Sequence, residues 1–354
     1  MSRSPRADGR SAAAGLPRAA ATVAGLAAVT LGLSACGSPD AGSGSGSAAP
    51  SGEAPGQVQV VASTDVWGSV AKAVGGDRVA VTSIIDSPEK DPHEYEATPT
   101  DATSVGRAGL VLVNGGGYDA FMSGLVDASG NTAPVVDAVA LSGLEGAGEA
   151  AGAHAHEGEE AAHEGEQAGG EAGHEHGAFN EHVWYSLPTV QKVANDVAAR
   201  LGTIDPAGAA AYTANAQRFD ASVTGLTQKA GAIGAAHPGA KVAVTEPVPG
   251  YLLEAAKLQD VTPEEFSESV EEGNDPPAAV LQQTLALFTA QPPVSALVLN
   301  GQTQTPTTDQ VKAAATTAAV PVVEVTETLP EGTGDYAAWM GAQIDALAGA
   351  LDKR

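Results

Sequence analysis

The feature that most constrains this fold is a repeated alternation of β-branched runs with segments of helical periodicity. Residues 58–62 (VQVVA) are typical of a strand, and apolar side chains recur at a helical period through residues 65–74. Further strands are predicted at residues 79–85, 110–113, 134–139, 241–245, 295–299 and 320–325. Strands that alternate with helices form parallel sheets covered on both faces, so we expect an α/β fold.

One long segment between the two groups of strands is predicted to be a single helix. Residues 205–236 begin with Asp205 as a cap and Pro206 in the first turn, and Ala-rich sequence without another proline follows. At ~1.5 Å per residue this helix would be roughly 45 Å long, more than one packed domain requires. We therefore expect two α/β lobes, residues 57–204 and 237–354, with a ligand site in the cleft between them.

The N-terminus has the pattern of an export signal. Four arginines precede the apolar residues 19–33, a stretch too short for a comfortable membrane span. The stretch ends in Leu-Ser-Ala-Cys, which resembles a bacterial lipobox, and Cys36 is the only cysteine in the chain. We expect residues 1–35 to be a signal peptide, Cys36 to be lipidated, and the Gly/Ser-rich residues 36–56 to be a flexible tether. The alternative for Cys36 is a buried or reactive thiol.

The charge of the chain and one low-complexity segment both favour a cationic ligand. The formal net charge is −26, which opposes nucleic acid as a partner and suits the capture of cations. Residues 145–181 consist mostly of Gly, Ala, Glu and His, and five of the chain's eight histidines lie there between residues 154 and 176. This segment cannot build a core, so we expect a disordered loop that either contacts divalent metal or is merely an acidic linker.

Four side chains near proline-stiffened turns are candidate metal ligands. His93 follows Pro92 beyond the second strand, and His182 lies where ordered, aromatic sequence resumes. Glu246 and Glu327 each follow a predicted strand of the second lobe. Each of them alone also fits a solvated turn residue or a helix cap. Together, two imidazoles and two carboxylates would neutralise a divalent cation and supply about four to six donor atoms.

From Val58 onward the chain resembles the zinc/manganese-type solute-binding lipoproteins of bacterial ABC importers. The resemblance rests on DPHEYEATP, EHVWYSLP, TEPVPGYLLEAA, VLNGQTQTP and VPVVEVTETLP. It implies two α/β lobes joined by one long helix, and metal ligands at His93, His182, Glu246 and Glu327. It also implies a binding protein, not an enzyme, that passes its metal to a membrane permease.

The resemblance leaves the metal open between two choices. Glu246 replaces the histidine of many zinc-binding members and favours Mn²⁺, whereas the His-rich loop favours Zn²⁺. We expect Zn²⁺, with Mn²⁺ as the alternative, because zinc outcompetes manganese at a comparable site. Residues 300–304 are expected to support the ligands. A metallohydrolase, and a surface adhesin or metal buffer centred on the loop, are the other classes considered. We expect a monomer, held on the extracytoplasmic face of the cell membrane by Cys36.

Overall fold

The strands form two parallel sheets with the same strand order. The computed structural model describes residues 56–90, 95–152 and 179–353. The first sheet contains β1 (Val58–Thr64), β2 (Val79–Ile85), β3 (Leu110–Val113) and β4 (Val135–Asp137), in the order β2-β1-β3-β4. The second contains β5 (Lys241–Val244), β6 (Gln259–Asp260), β7 (Ala296–Asn300) and β8 (Val322–Val325), in the order β6-β5-β7-β8. All pairings within both sheets are parallel.

Successive residues of the central strands enter different hydrophobic clusters, which shows that both faces of each sheet are buried. In β1, Val60 and Ala62 join one cluster, whereas Val61 joins another. In β5, Val242 packs into the first of these clusters and Ala243 into a third. This alternation follows from the two-residue period of a strand. It confirms the expectation of parallel sheets covered on both faces.

The helices of the first lobe surround its sheet and include one that the sequence defines sharply. They are α1 (Asp65–Gly75), α2 (Pro99–Arg107), α3 (Phe121–Ser129), α4 (Ala138–Ser142), α5 (Ala147–Gly152) and α6 (Leu187–Ile204). The Thr98 side chain accepts a hydrogen bond from the Asp101 amide, and the Asp101 side chain accepts one from the Thr98 amide. This capping box, with Pro99 in the first turn, explains why α2 begins at this point.

The linking helix α7 (Ala209–Ala236) packs against both lobes. It follows a 3₁₀ turn at Pro206–Gly208, so the α-helix begins later than the sequence predicts. Its buried side chains recur every three or four residues, which gives one apolar stripe: Tyr212, Ala216, Phe219, Val223, Leu226, Ala230 and Ile233. The helix contacts α1 and α6 of the first lobe and α12 (Tyr336–Leu351) of the second.

The second lobe also contains α8 (Gly250–Ala255), α9 (Glu264–Glu271), α10 (Ala278–Ala286) and α11 (Pro306–Thr317). The sequence pattern missed α9 and the two-residue strand β6. The strand predicted at residues 134–139 is shorter, because the chain turns into α4 at Ala138. Both ends of the predicted loop at residues 145–181 are structured: α5 lies at one end, and Glu181 is buried at the other. Among the residues described, no helix is both long and apolar enough to span a membrane.

Candidate metal-binding site

The second sheet brings two of the predicted ligands to one edge. Glu246 lies two residues beyond β5, and Glu327 lies two residues beyond β8. Asn300 is the last residue of β7, the strand that pairs with both β5 and β8. The carboxyl ends of parallel strands meet at one edge, and ligand sites form where the strand order reverses, here between β5 and β7. The topology therefore explains why these three side chains meet.

Asn300 holds the two carboxylates together. Its Nδ2 donates to Glu246 Oε2 and to Glu327 Oε1, both at 2.7 Å. All three side chains are buried, with relative exposures of 1% for Asn300, 2% for Glu246 and 5% for Glu327. Two buried carboxylates repel each other and lose their hydration, so each requires donors or a cation. One amide that donates to both carboxylates fixes their separation.

Two hydroxyl groups complete the orientation of these carboxylates. The Tyr118 hydroxyl of the first lobe donates to Glu327 Oε2 at 3.0 Å. The Thr303 hydroxyl donates to Glu246 Oε1. Gln302 fixes the backbone beneath Glu327, because its Oε1 accepts from the Glu327 amide at 2.6 Å and from the Thr328 amide at 3.0 Å. The loop at residues 300–304 thus supports both acidic residues, as the sequence predicts.

His182 enters this group from the first lobe with a defined ring orientation. Its Nδ1 lies 2.8 Å from Asn180 Oδ1, while Asn180 Nδ2 donates to the Pro247 carbonyl at 2.8 Å. Since the amide nitrogen of Asn180 is the donor to Pro247, its Oδ1 is an acceptor and His182 Nδ1 carries the proton. The ring packs against Tyr118 and Trp184, with centroid distances of 5.9 and 5.1 Å. The Nε2 atom is therefore the one that faces the carboxylates.

The sequence analysis missed the carboxylate closest to His182 Nε2 in this group. Glu271, the last residue of α9, places Oε1 3.3 Å from His182 Nε2, whereas Glu327 Oε2 lies 3.9 Å away. Ligand atoms of Glu181, His182 and Glu271 all lie within 4.8 Å of one another, an arrangement that could hold a metal ion. Burial, followed by the nearby charges of Glu181, Glu246 and Glu327, raises the pKa of Glu271 from 4.5 to about 10. The crowded carboxylates therefore disfavour a further negative charge unless a cation compensates it.

A weak signal for Glu271 exists in the sequence. Residues 264–272 contain five glutamates, so the sequence alone does not distinguish Glu271, which contacts His182, from the other four. Phe266 and Val270 are buried at a helical spacing, and they define the packed side of α9. Glu271 follows Ser267 by one helical turn, and Ser267 is also buried. The pattern thus places Glu271 at the edge of the buried side of α9. The sequence does not predict that this side of the helix lies next to His182.

The residues singled out in the sequence fall into two groups, those that the structure describes and those that lie outside the described ranges. The structure brings His182, Glu246 and Glu327 together. His93 and Cys36 lie outside the described residues, as do the signal peptide and the central residues 153–178 of the His-rich loop. Near the first group, Gln302 Nε2 donates to the Pro88 carbonyl at 3.1 Å, so the chain five residues before His93 is attached to the loop that supports Glu327.

The fold and this site define a class: two-lobe solute-binding proteins with a long helix between parallel-sheet lobes. The chain belongs to the ZnuA family, described as zinc-uptake complex component A periplasmic, whose model matches residues 60–350. The recognised resemblance and the expected fold are thereby confirmed.

Similar proteins differ in the metal that their names give. The chain is 26% identical over 167 residues to the manganese-binding lipoprotein MntA of Halalkalibacterium halodurans, covering 46% of this chain and 45% of that protein. The chain thus spans about half the length of the curated relatives it matches. Among solved structures, the periplasmic zinc-binding protein TroA of Treponema pallidum aligns with a TM-score of 0.64 and 18% identity, covering 84% of this chain and 99% of that one. FpvC of Pseudomonas aeruginosa, solved with Ni²⁺, aligns with a TM-score of 0.63 and 20% identity, covering 84% and 97%. These similarities establish the fold. They do not identify the metal, because the similar proteins are named or solved with different metals.

Proposed function

We propose that this protein captures Zn²⁺ outside the cytoplasm and delivers it to the permease of an ABC-type importer. In this proposal Cys36 is lipidated and holds a monomer at the membrane, and Mn²⁺ is the alternative cargo. The observation that carries the proposal is the buried convergence of His182, Glu246 and Glu327 between the two lobes. Membership of the ZnuA family supports the transport role.

The charge of the site is the physical argument for a divalent cation. Buried carboxylates that share one amide donor lose hydration and repel one another, at a cost of several kcal/mol per ion. A bound M²⁺ ion reverses this repulsion, because each carboxylate becomes an attractive partner. The neutral Nε2 of His182 contributes a lone pair in the same space. A neutral or anionic solute would gain neither of these interactions.

The donor types support a transition metal and leave Zn²⁺ as the first choice. Imidazole suits zinc, copper, iron and nickel, whereas carboxylates also suit manganese. His182 supplies one imidazole, and His93 is proposed to supply the second. Because zinc binds more tightly than manganese to the same N/O donors, the site would fill with Zn²⁺ wherever both metals are available.

Calorimetry on metal-free protein tests the proposal. Titration with Zn²⁺ and then Mn²⁺ should give one tight site in the wild type, and His182→Ala should weaken it by at least about 100-fold, more than changes outside the ligand shell usually cost. The matched control is His237→Ala, which removes a histidine at the end of α7 that bonds Asp352 instead. Wild-type affinity in His182→Ala would contradict the proposed site.

A deletion separates import from metal buffering. Removing residues 153–178 should leave the tight site intact if His182, Glu246 and Glu327 bind the cargo. A metal buffer centred on the His-rich loop would instead lose its high-affinity metal. The same titration measures both outcomes.

A further inference from the structure

We propose that Glu271 is an additional metal ligand and that it controls how well the site accepts Mn²⁺ relative to Zn²⁺. This inference rests on the proposed function. Glu271 would contact the metal from the end of helix α9, whereas Glu246 and Glu327 reach the site from the ends of strands β5 and β8. The distances around His182 Nε2 and the coordination preferences of the two metals support it.

The spacing between His182 and Glu271 already matches a pair of ligands on one ion. With metal–ligand distances of about 2.0–2.2 Å, two donors lie roughly 3.4 Å apart in a tetrahedral site and roughly 3.0 Å apart at adjacent octahedral positions. His182 Nε2 and Glu271 Oε1 are 3.3 Å apart, within this range. Glu327 Oε2, at 3.9 Å, must approach by about 0.5 Å for a tetrahedral site and about 0.9 Å for an octahedral one. Glu271 is thus at least as well placed as the predicted ligand.

The orientation of the His182 ring supports a shared metal ion as the reason for the short distance between His182 Nε2 and Glu271 Oε1. Because His182 Nδ1 donates to Asn180, the Nε2 atom presents a lone pair toward Glu271. A lone pair and a carboxylate oxygen repel each other unless a proton or a cation lies between them. Glu271 therefore faces the position that a metal bound to Nε2 would occupy.

The position of α9 strengthens the attraction for a cation. Glu271 is the last residue of this eight-residue helix, and the C-terminal end of a helix carries partial negative charge. Gly273, two residues later, has φ +71°, a left-handed conformation that lets the chain turn away from the site. The helix end and the carboxylate thus point the same sign of charge toward His182.

The number of donors determines which metal needs Glu271. Zn²⁺ is satisfied by four donor atoms in a tetrahedral site, a number that the imidazole nitrogen of His182 and the carboxylate oxygens of Glu246 and Glu327 can supply without Glu271. Mn²⁺ favours oxygen ligands in octahedral geometry and gains from each further carboxylate. Glu271 would therefore contribute little to Zn²⁺ affinity and substantially to Mn²⁺ affinity. Its removal should change selectivity more than it changes zinc capture.

Glu271→Gln tests this inference, because it keeps the shape of the side chain and removes its charge. On the full chain, calorimetry should show Mn²⁺ affinity reduced by at least about 10-fold and Zn²⁺ affinity by less than about threefold. X-ray absorption of the Mn²⁺-loaded variant should show one fewer oxygen donor. The control is Glu268→Gln, which removes an exposed charge from the same helix and should change neither affinity by more than about twofold.

The other outcomes overturn the inference in distinguishable ways. Unchanged Mn²⁺ affinity in Glu271→Gln, with tight binding in the wild type, would overturn the role of Glu271 alone. An equal loss of both metals would overturn its role in selectivity and indicate that it only positions His182. A wild-type protein that binds neither metal would contradict the proposed function, and the role of Glu271 with it.

Discussion

Replacing Asn300 with aspartate should destabilise the metal-free protein strongly and make its stability depend on metal. Asn300 Nδ2 is the common donor to Glu246 and Glu327, at 2.7 Å each. Aspartate has the same shape, and its Oδ1 can still accept from the Gln302 amide, as Asn300 Oδ1 does. The substitution therefore removes both donated bonds and places a third carboxylate between two others.

The magnitude follows from the two lost hydrogen bonds. Bonds to charged groups contribute about 1.5–3 kcal/mol each, so the free energy of unfolding should fall by about 3–6 kcal/mol. For a folded body of about 300 residues each kcal/mol lowers the melting temperature by about 1.6 °C, so the midpoint should fall by roughly 5–10 °C. Bound metal should stabilise Asn300→Asp more than the wild type, because the ion neutralises the added charge.

Urea unfolding of the metal-free and metal-loaded forms measures both effects. The matched control is Asn274→Asp, in which an exposed amide that donates to Glu272 Oε2 at 3.2 Å undergoes the same chemical change. This control should lose no more than about 0.5 kcal/mol and show the wild-type response to metal. Equal losses in the two variants, or a smaller metal response in Asn300→Asp than in the wild type, would refute the reasoning.

Two further predictions concern contacts between the lobes. Tyr118→Phe removes the hydroxyl that donates to Glu327, so calorimetry should show metal affinity reduced about 10-fold, whereas Tyr212→Phe, whose hydroxyl donates to Asp205 at 2.8 Å, should leave it unchanged. Asp65 accepts from the Leu329 amide, and burial raises its pKa from 3.8 to about 6. Because the folded state binds this proton more tightly, stability should fall as pH rises from about 4 to 7, by at most about 3 kcal/mol and less after solvent screening. Asp65→Asn should remove this pH dependence and be the more stable form at pH 7 in denaturant titrations.

The sequence predicts the strand-end ligands because their positions follow from local pattern and general topology. Short β-branched runs mark β5 and β8, and Glu246 and Glu327 follow these runs directly. Parallel strands collect their carboxyl ends at one edge, so acids that follow β5 and β8, the strands on either side of β7, are brought to the same edge. Asn300 belongs to the same argument, since it ends the strand between them.

Glu271 could not be predicted in the same way, because its place depends on tertiary packing. It belongs to a glutamate-rich run, residues 264–272, in which the other four glutamates are exposed. Its proximity to His182 arises from the way α9 packs after β6, a strand of only two residues that leaves almost no periodic signal. The end of β4 illustrates the same limit, since an apolar run at residues 134–139 continues into α4 without a change in composition.

We propose that a single divalent ion binds between the lobes at His182, Glu246 and Glu327. Anomalous diffraction at the absorption edge of the bound metal, from crystals of the loaded protein, tests it most directly. We expect one dominant peak about 2.0–2.3 Å from His182 Nε2 and within bonding distance of carboxylate oxygens of Glu246 and Glu327. A fully occupied metal elsewhere, with no peak beside His182 Nε2, would contradict it.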